Sequence, residues 1–183
     1  MKPIEGWDKA DPVFGNGFPQ LPAGGYPCRI IVARHERSKG GKWMLRLAVD
    51  IAEGEHNGFF YKQYESRRKR NADANWPAAG TYYQLTEGDS VGRFKGMIMT
   101  LQESNPGWTW DWDENKLVGC KFGGLFREEE YLGNDGNVHS NTKCISILPL
   151  EGIEDAPAPE KKCLQPHEFA RTQQYISDSD IPF

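Results

Sequence analysis

The sequence predicts an all-β domain with one helix, its elements ordered β-β-β-α-β-β as a five-stranded, partly open barrel, with an irregular acidic tail behind it. Three observations predict this. Apolar residues alternate at period two through Trp43, Leu45, Leu47, Val49 and Ile51, the pattern of a strand with one buried face. A helical spacing appears at Phe94, Met97, Ile98 and Leu101, three to four residues apart on one side. Beyond residue 150 such patterning ends, and an apolar fraction of 38% is low for a chain folded throughout.

The elements follow in order. Residues 1–25 are rich in Gly and Pro, with isolated anchors at Trp7, Val13, Phe14, Phe18 and Leu21, and read as an irregular arm packed on the barrel. The barrel domain spans 26–150. Residues 26–37 and 42–51 are predicted strands joined across Ser38-Lys39-Gly40-Gly41, a hairpin turn. The aromatic run Phe59, Phe60, Tyr61 and Tyr64 predicts a third strand over 59–66. A polar connection over 67–91 leads to the helix at 92–103, with Ser90 as its cap and Asn105-Pro106-Gly107 as its stop. Two further strands, 116–128 and 138–149, flank a Gly/Asn turn. This order is that of the OB-fold, whose outer surface and hairpin loops bind oligonucleotides. Residues 151–177 read as a flexible linker and 178–183 as a separate acidic tip.

Charge is unevenly distributed. The whole chain carries −4, yet residues 29–70 hold eleven bases against five acids, while residues 151–183 hold seven acids against three bases. A basic region within an acidic protein marks a polyanion site. A single strand offers phosphates and bare base faces, so its binder needs cations interleaved with aromatics. Candidate DNA contacts are Arg34, Arg37, Lys39 and Lys42 around the first hairpin. Arg46, Phe60, Lys62 and Tyr64 are expected on the outer faces of the second and third strands. Arg67, Arg68, Lys69 and Arg70 would clamp the backbone where it leaves the groove.

Other chemistry is not expected. Cys28, Cys120, Cys144 and Cys163 are widely spaced and lack a zinc pattern. Glu128, Glu129 and Glu130 would point alternately to opposite faces of a strand, which makes a poor metal cluster. Trp108, Trp110 and Trp112 stand beside Asp111 and Asp113, and read as packing against the barrel or a partner rather than as base contacts. No catalytic residue, metal or cofactor is expected. Without a secretory leader or a membrane-length apolar run, the cytoplasm is the expected location.

The last residues, Asp178-Ser179-Asp180-Ile181-Pro182-Phe183, closely resemble the acidic tip of bacterial single-stranded DNA-binding proteins, a run of aspartates followed by Ile-Pro-Phe. Asp178, Asp180, Ile181, Pro182 and Phe183 match; Ser179 replaces an acid. The segment from Leu117 to Tyr131 is similar to one in phage proteins encoded among recombination genes. These resemblances imply a non-catalytic protein, in a bacterial host cell, that protects single strands in replication, repair or recombination and recruits processing enzymes through its tip. The alternative is a recombination or replication mediator whose barrel mainly binds protein.

Overall fold

The computed structural model describes residues 19–133 and 135–165. The alternating pattern of residues 43–51 forms strand β2, Trp43–Ile51, with Leu45, Leu47, Val49 and Ile51 buried. It pairs antiparallel with β1, Gly24–Arg37, and the Ser38–Gly41 turn closes between them. A bulge at Ile31 shifts the alternation of β1, so that Cys28, Ile30 and Ala33 all enter the core while Val32, Arg34 and Glu36 share the opposite face.

Residues 59–66 do not form the expected strand. They begin helix α1, Phe59–Arg70. The expected polar connection then yields strand β3, Thr81–Leu85, which pairs with β2. Helix α2, Val91–Ser104, buries Phe94, Met97, Ile98 and Leu101 as their spacing predicts. Strands β4, Lys121–Leu132, and β5, Val138–Leu148, follow. The fourth strand, expected from residue 116, begins at Lys121, and residues 116 and 117 end a 3-10 turn, Glu114–Leu117. The element order is therefore β-β-α-β-α-β-β. One antiparallel sheet runs β3-β2-β1-β4-β5. β3 and β5 approach each other and α2 packs against both, but no ladder joins them and the sheet is not closed. No described helix is long and apolar enough to cross a membrane.

The start of α1 is fixed by a residue distant from it in the chain. Asp50 on β2 is completely buried, and its Oδ1 accepts hydrogen bonds from the backbone N–H groups of Ile51 (3.0 Å) and Phe60 (2.9 Å). The carboxylate thus satisfies a first-turn donor and sits at the positive end of the helix. Its Oδ2 has no partner among the described residues. Burial raises the Asp50 pKa, opposed by those N–H groups and by Arg29.

A raised acid pKa means that the folded state holds the proton more tightly, so the cost of burial is absent below the unfolded pKa. That cost appears as pH rises through the folded value. Asp50→Ala should destabilise the protein at neutral pH by about 1–3 kcal/mol, because buried N–H groups lose their acceptor. Asp50→Asn keeps an acceptor and should cost less, and the wild type should gain on it as the pH falls. Urea unfolding of the three proteins across pH 3–8 checks both statements. Equal stability of Ala and wild type at neutral pH would refute the capping role.

The expected flexible linker does not start at residue 151. Ile153, in a 3-10 turn after β5, is buried against Gly25 and Gly123. A Cβ on Gly25 would lie 1.9 Å from the Ile153 carbonyl oxygen, and one on Gly123 would lie 2.7 Å from its side chain. The two glycines make the slot that Ile153 fills. Further on, the Lys162 N–H donates to the Glu128 carbonyl and its own carbonyl accepts from the Glu130 N–H, both at 2.9 Å. Residues 151–165 therefore belong to the folded unit. Residues 1–18 of the expected arm, the remainder of the linker and the 178–183 tip lie outside the described residues.

Candidate nucleic-acid interface

The bulge in β1 and the alternation of β2 bring three residues into one row across the sheet. Arg34 is opposite Arg46, and Arg46 is opposite Tyr83 on β3; direct cross-strand partners share a face. Tyr83 is 56% exposed. Arg46 donates through Nε and Nη2 to both oxygens of Glu36, at 2.8 and 3.3 Å, which fixes its guanidinium and offsets its charge. Arg34 is exposed, as are Lys39 and Lys42 at the hairpin turn. The Arg37 guanidinium lies 4.4 Å from the centroid of the Trp43 ring and donates to the Gly41 carbonyl at 2.7 Å. His35 stacks on the same indole, 4.8 Å between centroids. Trp43 has the parity of Leu45 and Leu47, so the Arg37–Trp43–His35 group lies on the opposite face of the sheet from Arg34, Arg46 and Tyr83.

The remaining candidates are placed by α1, not by an outer strand face. Phe60 is 1% exposed and stacks on Phe126 at 5.8 Å within the core, so it offers no face to a base. Lys62 is exposed and donates to the Asn57 carbonyl at 2.9 Å. Tyr64 packs against Trp76, 5.3 Å between ring centroids, and the Arg68 guanidinium lies 5.7 Å from its ring. That last pair is the i, i+4 spacing of a helix face. Arg67, Arg68, Lys69 and Arg70 form the last turn of α1, where cations favour the helix end. Arg67 and Arg70 line a cleft of about 1070 Å³ that runs between α1, the loop behind it and β5. The sequence-predicted contacts therefore divide into two groups, one at the hairpin and one on α1.

Sequence reasoning missed Tyr83, together with Trp76 and Lys143 on the cleft walls. The signal for Tyr83 was the β-prone run Thr81-Tyr82-Tyr83-Gln84-Leu85. Nothing in the sequence pointed to Lys143 or Trp76.

The acids are largely engaged elsewhere. Lys161 reaches both Glu128 and Glu130 at 3.0 Å, and these contacts hold both carboxyls below the usual range. Glu129 pairs with Arg127 and, at 3.5 Å, with Lys143. Glu128 and Glu130 thus share a partner that Glu129 does not, as alternation along a strand dictates. Among the described residues no group of three His, Cys, Asp or Glu side chains is placed to hold a metal. Cys28, Cys120 and Cys144 are buried, and burial pushes the Cys144 thiol up to about 12. Cys163 is exposed.

Trp108 and Trp110 pack against the core, with the Trp108 indole N–H donating to the Lys116 carbonyl at 3.0 Å. Trp112 is 79% exposed with φ at 70°, so it does not pack into the barrel as Trp108 and Trp110 do. No protein-family model matches the chain, and no curated protein matches it in sequence.

Proposed function

We propose that this protein is a non-catalytic, sequence-tolerant binder of single-stranded DNA built on an OB-fold, and that the 178–183 tip recruits processing proteins to the bound strand. The observation that carries the reading is the row of Arg34, Arg46 and exposed Tyr83 on the sheet face opposite the core. A duplex hides its base faces, whereas a single strand offers them to such rings and its phosphates to the adjoining cations. The strand order β3-β2-β1-β4-β5 supports the fold, since an OB barrel opened between its third and fifth strands would have this order. Helix α2 occupies the expected place between β3 and β4. The added feature is α1, inserted between β2 and β3.

Fluorescence-anisotropy titration with labelled oligonucleotides tests the reading. Single strands should bind more tightly than duplex of the same sequence, with a salt slope of about −0.7 per phosphate neutralised. Tyr83→Ala should cost roughly 1–3 kcal/mol of binding if a base stacks on it, with folding stability unchanged. Replacing Arg34, Arg37, Lys39 and Lys42 by Ala should flatten the salt slope. Equal affinity for duplex and single strand, or binding indifferent to salt, would overturn the proposal.

A further inference from the structure

The cleft beside α1 differs in chemistry from two other clefts among the described residues. Its walls carry Arg67 and Arg70 from α1 and Lys143 from β5, whose charge is partly offset by Glu129 at 3.5 Å, and among the described residues no Asp or Glu itself lines it. A second cleft beside β1 includes Glu36 and Glu114, and a third around Tyr26 includes Glu53, Glu55 and Glu154. A polyanion is repelled by carboxylates at such range and attracted by cations, so of these three the α1 cleft suits it. At about 1070 Å³ it also has room, since ligand clefts are typically about 300–1000 Å³.

Its other groups match a base rather than a bare phosphate. Trp76 lines the cleft, its indole held by donation to the Gly80 carbonyl at 2.9 Å and by the Tyr64 ring. A ring fixed in this way loses little freedom on meeting a base. Asn141, also on the wall, has a buried Oδ1 without a hydrogen-bond partner among the described residues. A buried acceptor left unmatched is costly, and an N–H on the Watson–Crick edge of a base, such as N3–H of thymine, supplies the missing donor. β5, which contributes residues 140–143 to this wall, pairs among the described residues on one side only, with β4. Its outer edge therefore adds backbone donors and acceptors to the cleft.

We propose that the cleft between α1 and β5 is a second contact site on the same single strand. There Arg67, Arg70 and Lys143 neutralise phosphates while Trp76 and Asn141 meet an unstacked base. The proposal rests on the single-strand reading and extends it to a site that the sheet face does not include. Chain geometry connects the two. Ala78 and Ala79 line the cleft, β3 starts at Thr81, and Tyr83 stands two residues further on. With Ala79 in a 3-10 turn and β3 extended from Thr81, Ala79 and Tyr83 are at most about 13 Å apart, a span of a few nucleotides. An oligonucleotide long enough to occupy both sites gains from their linkage; a shorter one engages one at a time.

The experiment uses the full chain and thymidine oligonucleotides carrying 5-iododeoxyuridine at successive positions, photocrosslinked and mapped by mass spectrometry. Adducts on Trp76 or Tyr131, in addition to Tyr83 or Trp43, are expected. Adducts on Tyr83 or Trp43 alone would overturn the cleft site and leave the single-strand reading standing; absence of oligonucleotide binding would remove both. A length series adds a second measurement. The double variant Arg67→Glu, Arg70→Glu changes exposed side chains and should weaken long-oligonucleotide binding by about tenfold or more, with a much smaller loss on the shortest oligonucleotides. An equal loss at every length, or none, would overturn the proposal.

Discussion

Deleting Ile181, Pro182 and Phe183 should abolish binding to partners that recognise such tips, while folding and single-strand binding persist. The tip's residues state the reason. Phe183 carries an aromatic ring, and in a chain ending there the same residue carries the α-carboxylate. A shallow apolar pocket edged by Arg or Lys holds both at once. Pro182 restricts the backbone and lowers the ordering cost of binding, and Asp178 and Asp180 add attraction to a basic surface.

Extending the chain beyond Phe183 should therefore be nearly as harmful as deletion, because it separates ring from carboxylate. Phe183→Leu should be intermediate, keeping the charge and losing the ring. DNA affinity of the shortened chain should be unchanged or slightly higher, since acidic residues near a basic site compete with phosphate. Anisotropy titration of the three forms against a bacterial helicase or exonuclease that binds such tips measures the effect. Indistinguishable binding by wild-type, shortened and extended chains would remove the tip from the proposed function.

Phe60→Ala should cost about 3–5 kcal/mol of folding stability, the largest effect expected of any single candidate residue. The ring is fully enclosed, stacked on Phe126 and set edge-to-face against Phe59 at 5.2 Å. Gly80 leaves the space it occupies: a Cβ there would approach the Phe60 ring to 2.6 Å. Gly80→Ala should accordingly be destabilising as well. Urea unfolding separates this from the Tyr83→Ala variant, which should lose DNA affinity and keep its stability. A Phe60→Ala protein of normal stability that bound DNA poorly would reverse the two roles.

The sequence shows some elements clearly because their pattern is local. β2 alternates strictly, α2 repeats its apolar residues at helical spacing, and both are found where these patterns lie. α1 was concealed by competing preferences. Phe59, Phe60, Tyr61 and Tyr64 favour strands in isolation, and the residue that satisfies the helix start, Asp50, lies on the preceding strand. No local rule joins the two. In retrospect the Tyr64–Arg68 spacing and the terminal run of cations fit a helix better than a strand. β3, with five residues, was too short to register within a polar stretch.

The site follows the same division. The hairpin cations were readable because turn residues are exposed wherever a hairpin forms. The cleft was not, because its walls exist only once α1 is a helix and β5 stands opposite it. The assignment of Phe60 to a binding surface fell with the strand that was to carry it.

The pairing of Lys162 with β4 bears on how the molecule behaves in company. β4 is bound to β1 only as far as Phe126, so the backbone of Glu128, Glu129 and Glu130 on that side would otherwise stand open. Open strand edges recruit strands from neighbouring molecules and seed aggregates. Here the protein's own chain occupies the edge, through the Lys162 hydrogen bonds and the Lys161 ion pairs. At high local concentration, neighbouring molecules that approach along this stretch of β4 therefore meet charged side chains instead of an open strand edge.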